Sequence, residues 1–70
     1  MTFYRWMIKN YLRTDDRIGD LARDAKADPT FPKKCKTKRK IYKYLESVDA
    51  CSACMETFEI AWGLYSNENY

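Results

Sequence analysis

Apolar side chains recur along this chain at steps of three and four, and nowhere alternate over a run long enough to make a strand. Phe3, Trp6, Met7 and Tyr11 share one face of a helical projection, leaving Arg5, Lys9 and Asn10 to solvent, which predicts a first helix over about 3–13. Thr2 is placed to cap it by accepting a first-turn N–H. Lys9 and Arg13 lie toward its C-terminal half, where the helix dipole favours cations.

Ile18, Leu21, Ala22 and Ala25 step i, i+3, i+4, i+7 and predict a second helix over about 16–27, capped by Asp15 or Asp16. Gly19 inside it costs about 1 kcal/mol relative to alanine, so it is expected to let another helix or an aromatic ring come close. Asp28 precedes Pro29 and is pushed out of the helical region, which ends the segment. Residues 29–36 read as a loop, with Phe31 between two prolines expected to plug the core.

A third helix follows over about 37–46, with Thr37 as its cap and Ile41, Tyr44 and Leu45 facing inward. A fourth starts near Asp49 and runs to about 65 on the stripe Cys51, Cys54, Met55, Phe58, Ala61, Trp62 and Tyr65. The polar tail 66–70 is expected to fray. The pattern therefore gives one all-α domain over 1–70, a small bundle of four to five helices.

Seventy residues bound that domain tightly. A chain of this size buries only about 60% of its unfolded surface, so little material is left for a deep substrate pocket. Aromatics make up 16% of the residues, which supplies much buried area per side chain. No stretch approaches the roughly 20 apolar residues that span a bilayer. The opening "MTFYRWMIKNYLR" has neither the apolar run nor the cleavage site of a secretory signal. The three cysteines do not form an even framework, and a reducing, cytoplasmic setting away from membranes is expected.

Candidate chemistry is sparse. With no histidine, the commonest general base is missing, and no nucleophile elbow, phosphate loop or zincin motif occurs. Cys51-Ser-Ala-Cys54 fits C-x-x-C, but no strand precedes it as thioredoxin-type chemistry requires. A zinc site needs four ligands, and Cys35, Cys51, Cys54 and a carboxylate such as Asp49 would have to supply them. At i, i+3 on an apolar face, Cys51 and Cys54 are expected to pack as small hydrophobes. Cys35, set among lysines, is a reactive thiol if exposed. Trp6 and Trp62 fall on core faces, whereas Tyr4, Tyr42 and Tyr44 are open to surface roles. No enzyme activity, cofactor or small-molecule substrate is expected.

Charge is distributed unevenly. The stretch 33–43, "KKCKTKRKIYK", holds seven of the thirteen basic side chains and no acid, and the rest of the chain sets six bases against ten acids, a net −4. Lys33, Lys34, Lys36, Lys38, Arg39 and Lys40 gather just before and within the first turn of a helix, with Tyr42 and Lys43 one turn on. Each cation at that end of the dipole is unfavourable by about 0.3–1 kcal/mol if unscreened. A phosphate or an acidic surface relieves this, since the helix end also offers free N–H groups. Asp16, Asp20, Asp24 and Asp28 form an acidic face on the second helix. Complementary patches suit a protein-interaction module, either self-associating head to tail or docking on an acidic protein. Nucleic-acid binding through 33–43 is the alternative, with phosphate contacts and Tyr42 stacking.

The segments "FYRWMIKNY", "IGDLARDAKADPTFP", "IYKYLE" and "FEIAW" with Tyr65 together resemble the YozE SAM-like family of short bacterial and phage-borne proteins. The likeness covers about 3–65 and includes a D-x-x-F-P turn at Asp28, Phe31 and Pro32. It implies a sterile-alpha-motif-like helical fold and brings no catalytic residues. The wider sterile-alpha-motif group mostly mediates protein association, and some members bind RNA, which is a fold-level analogy for this chain. A member carried by a phage would have a host protein as a natural target.

Overall fold

In a computed structural model, described for residues 1–48 and 50–68, the chain forms four helices and no strand among those residues. They are α1 (Phe3–Tyr11), α2 (Arg17–Ala27), α3 (Lys38–Ser47) and α4 (Ser52–Glu68). α1 packs on α2 and α4, α2 also packs on α4, and α3 packs on α4.

The two N-terminal caps follow from local chemistry. The Thr2 hydroxyl accepts from the Arg5 N–H, and Asp16, rather than Asp15, caps α2 by accepting from the Gly19 N–H at 2.8 Å. α2 ends at Ala27, where the extended Asp28 before Pro29 stops it, whereas the ends of α1 and α4 carry tertiary contacts. α1 stops at Tyr11, two residues short of the expected end. The carbonyl of its C-cap Leu12 and that of Thr14 in the following turn find a donor on α2, the Arg23 guanidinium, each at 2.9 Å. Free C-terminal carbonyls need such partners. α4 begins at Ser52 and continues to Glu68, past the expected end at 65, and the Trp6 indole N–H donates to the Glu68 carboxylate at 2.9 Å. Asp49, where α4 was expected to begin, lies outside the described residues, as do 69 and 70.

The core is aromatic. Phe3 is fully buried, with the rings of Phe58 and Tyr65 meeting it edge-on at 5.4 and 5.6 Å and that of Trp62 at 5.3 Å. Offset and edge-to-face rings of this kind add about 0.5–1.5 kcal/mol per pair to area burial. Ile41 and Leu45 face inward from α3, as expected, and Tyr44 is half-buried. Phe31 fills the plug position: it is buried, with Tyr4 of α1 and Tyr44 of α3 each at 5.7 Å. The loop before α3 thereby joins that helix to the rest of the core.

Two expectations change. A Cβ at Gly19 would collide with the backbone carbonyl of Thr14 and lie 2.6 Å from its hydroxyl, so the close neighbour is the α1–α2 turn and not a helix or an aromatic ring. Cys51 lies ahead of α4 and is exposed, so it does not begin the buried stripe. Cys54, Met55 and Trp62 are half-buried and pack against the core.

Candidate functional site

The basic segment occupies the loop that follows Phe31 and the outer face of α3. Its shape comes from two anchors. The Cys35 N–H donates to the Pro32 carbonyl at 3.2 Å, closing a turn, and the buried Ile41 holds the first turn of α3 to the core. The cations are carried on ordered backbone and not on a tail.

These cations are not equivalent. The Lys33 ammonium sits over the Tyr4 ring, 5.5 Å from its centroid, and its charge also acts on Asp28. Lys38 pairs with Glu59 of α4 at 2.6 Å. Lys34, Lys36, Arg39, Lys40 and Lys43 are exposed and belong to no ion pair among the described residues. Tyr42 is exposed on the same helix, its ring 6.5 Å from that of Phe58. Thr37 stands at the N-cap of α3 but its side chain makes no capping bond, unlike Thr2 and Asp16. The first turn of α3 therefore lacks a capping side chain at Thr37, beside five cations that have no ion pair among the described residues.

The acidic face is largely engaged within the chain. Asp16 accepts from the Thr14 hydroxyl as well as capping α2, and these bonds hold its carboxyl below the usual range, the Gly19 N–H most strongly. Asp20 pairs with Arg23 at 2.6 Å. Asp28 accepts from the Tyr44 hydroxyl and from the Thr30 hydroxyl and N–H; the Tyr44 bond is the main reason its carboxyl is lowered, and in return it raises the Tyr44 phenol. Asp24 is exposed and, alone of the four, has no side-chain hydrogen bond or ion pair among the described residues. The Thr30 contacts are local to the turn, two residues from Asp28, whereas the Tyr44 contact joins groups sixteen residues apart, and only the buried position of Phe31 between Asp28 and Tyr44 hinted at that meeting.

Asp24 and Asp28 lie on the rim of a cleft of about 290 Å³ between α2 and α3, walled by Leu21, Ala25, Leu45 and Val48. Cys51 and Cys54 stand at the same rim. Cys35 is half-buried on the other side, its thiol directed to the Thr37 carbonyl at 3.5 Å. Among the described residues no three acids or cysteines converge as a metal site, and no helix is long and apolar enough to cross a membrane.

The four helices, plugged by Phe31 and built on an aromatic core, define a small all-α domain of the SAM-like kind. The family model of the YozE SAM-like fold matches residues 2–67. A UPF0346 protein of Leuconostoc mesenteroides is 31% identical over 68 residues, covering 96% of this chain and 91% of that protein. The chain belongs to the YozE SAM-like family. No solved structure gives a significant match.

Proposed function

We propose that this domain is a non-catalytic docking module that seats an acidic surface of a partner protein on the basic edge formed by the loop before α3 and the outer face of that helix. One observation carries the reading: among the described residues Lys34, Lys36, Arg39, Lys40 and Lys43 have no ion pair, beside a helix N-terminus whose Thr37 makes no side-chain cap. An acidic partner relieves both the repulsion among these charges and the unsatisfied donors. A separate partner is favoured over head-to-tail self-association because three of the four acids on α2 already serve contacts within the chain. A protein is favoured over nucleic acid because Glu59 stands inside the basic edge, paired with Lys38, and Glu46 is exposed on the same helix. Carboxylates there oppose a continuous phosphate backbone but suit the mixed charges of a protein surface.

The test is capture from a bacterial lysate by the immobilised chain, with and without nuclease, beside a variant carrying Lys34→Glu, Arg39→Glu, Lys40→Glu and Lys43→Glu. An acidic protein retained after nuclease, and lost with the variant and with salt, is expected. Capture that vanishes with nuclease transfers the edge to nucleic acid, with Tyr42 as its stacking ring. Equal capture by the variant removes the edge from the function.

A further inference from the structure

The start of α4 holds a pair of thiols that the basic edge does not use. The Met55 N–H donates to the Cys51 carbonyl at 3.0 Å, so Cys51 is the residue just outside the helix and Cys54 lies within its first turn. Residues three apart on one helical turn have Cβ atoms about 5–6 Å apart. A disulfide brings them to about 3.5–4.5 Å. Cys51 stands at the position just before α4, tied to the helix through its carbonyl alone, so closing the gap calls for rotation of that one residue's backbone and side chain.

The two thiols differ in setting. Cys51 is exposed, and Cys54 is half-buried against the core. Burial, followed by the nearby Cys51 and Asp24, pushes the Cys54 thiol up. Both sit on the shared rim of two clefts of about 290 and 230 Å³, which Asp24 also lines. An exposed cysteine outside a helix contributes no packing, so core filling does not account for Cys51.

We propose that Cys51 and Cys54 form a thiol–disulfide exchange site acting on low-molecular-weight disulfides, with Cys51 the entering thiol and Cys54 the resolving one. The Cys51 thiolate attacks one sulfur of the reagent disulfide; a mixed disulfide forms, and the other half leaves as a thiolate that takes up a proton. Cys54 then gives its proton to solvent and attacks the Cys51 sulfur, expelling the second half as a thiol. The chain loses two electrons and two protons, and the reagent disulfide becomes two thiols. The exposed sulfur meets the reagent first because only the thiolate with access reacts. The half-buried one is held one turn away, where closure is intramolecular and its raised pKa matters less. The absence of a strand before the motif does not enter this chemistry, which needs only the pair, the helix start and the difference in exposure.

Oxidised glutathione is the probe, applied to the full chain in a Cys35→Ser background, with acid quenching, alkylation and intact-mass analysis. The parent is expected to lose two thiols and retain no glutathione. Adding Cys54→Ser should trap one glutathione on Cys51. With Cys51→Ser instead, modification of Cys54 should be slower by about tenfold or more, as expected for a half-buried thiol. In urea the two single-thiol variants should react at similar rates, which ties the difference to the fold. A parent that keeps glutathione on Cys51 without closing, a chain that does not react, or folded variants that react equally fast would overturn the proposal.

Discussion

The Tyr44 hydroxyl donates to the Asp28 carboxylate, joining α3 to the residue that ends α2. This bond lowers the Asp28 carboxyl below the usual carboxylate range and raises the Tyr44 phenol above its usual range. A depressed carboxyl contributes stability above its unfolded pKa and loses it as pH falls through the folded value. A raised phenol contributes stability below its unfolded pKa and loses it as pH rises through the folded value. Tyr44→Phe should therefore lower the urea midpoint by a constant amount between about pH 5 and 9, and the gap to the parent should narrow at both extremes. A gap that stays constant down to acid pH would show that the bond does not discriminate between the charge states of Asp28.

Gly19 and Gly63 should respond in opposite directions to alanine. Both lie inside helices, where alanine gains about 1 kcal/mol of propensity. At Gly63 nothing lies within 4 Å of an added Cβ, so the gain stands and the melting temperature should rise. At Gly19 the Cβ meets the Thr14 carbonyl, which is backbone and already receives the Arg23 guanidinium. Overpacking of this kind costs about 1–3 kcal/mol, so Gly19→Ala should destabilise. Thermal unfolding followed by circular dichroism gives both signs, and a stabilised Gly19→Ala would mean that the α1–α2 turn moves aside freely.

The Trp6–Glu68 bond accounts for α4 running past the predicted end. Glu68→Ala removes an acceptor from a buried indole, and a hydrogen bond of this kind is worth about 1 kcal/mol net. Trp6 is only 3% exposed, so its freed N–H gains little water. A loss of that size in chemical unfolding, with a shifted tryptophan emission, is expected; unchanged stability would place the last turn of α4 outside the fold's cooperative unit.

The starts of α1 and α2 were legible because their causes are local: Thr2 and Asp16 stand beside the N–H groups they cap. Faces were legible for the same reason, since Phe3, Ile41, Phe58 and Phe31 declare burial by spacing or by flanking prolines. The end of α2 was equally legible, since Asp28 before Pro29 stops it at Ala27, but the ends of α1 and α4 were not, because Arg23 contacts the chain after α1 from another helix and Trp6 meets Glu68 from 62 residues away. The basic edge was visible as composition, but its division into paired and unpaired cations was not. Nothing near Lys38 in sequence points to Glu59, or near Lys33 to Tyr4. The acidic face was misleading in the same way: its spacing on α2 is real, yet Asp28 answers to Tyr44 across a turn. Cys51 was assigned to the buried stripe because three-residue spacing continues through it, although the helix has not begun there.

Glu59 is the position where stability and docking should separate most clearly. Its pair with Lys38 is exposed on both sides, 43% and 46%, and exposed pairs contribute about 0–1 kcal/mol. Glu59→Gln should therefore leave unfolding nearly unchanged. It also releases Lys38 and removes the carboxylate that interrupts the basic edge, so the affinity for an anionic surface should rise. Arg39→Gln takes away an unpaired cation at no structural cost and should have the reverse effect. Heparin-column retention reads both, with Glu59→Gln eluting at higher salt than the parent and Arg39→Gln at lower salt, because retention follows the number of cations in contact. If Glu59→Gln eluted with the parent while Arg39→Gln eluted earlier, the contact would be confined to the α3 face, and Glu59 would stand outside the docking edge.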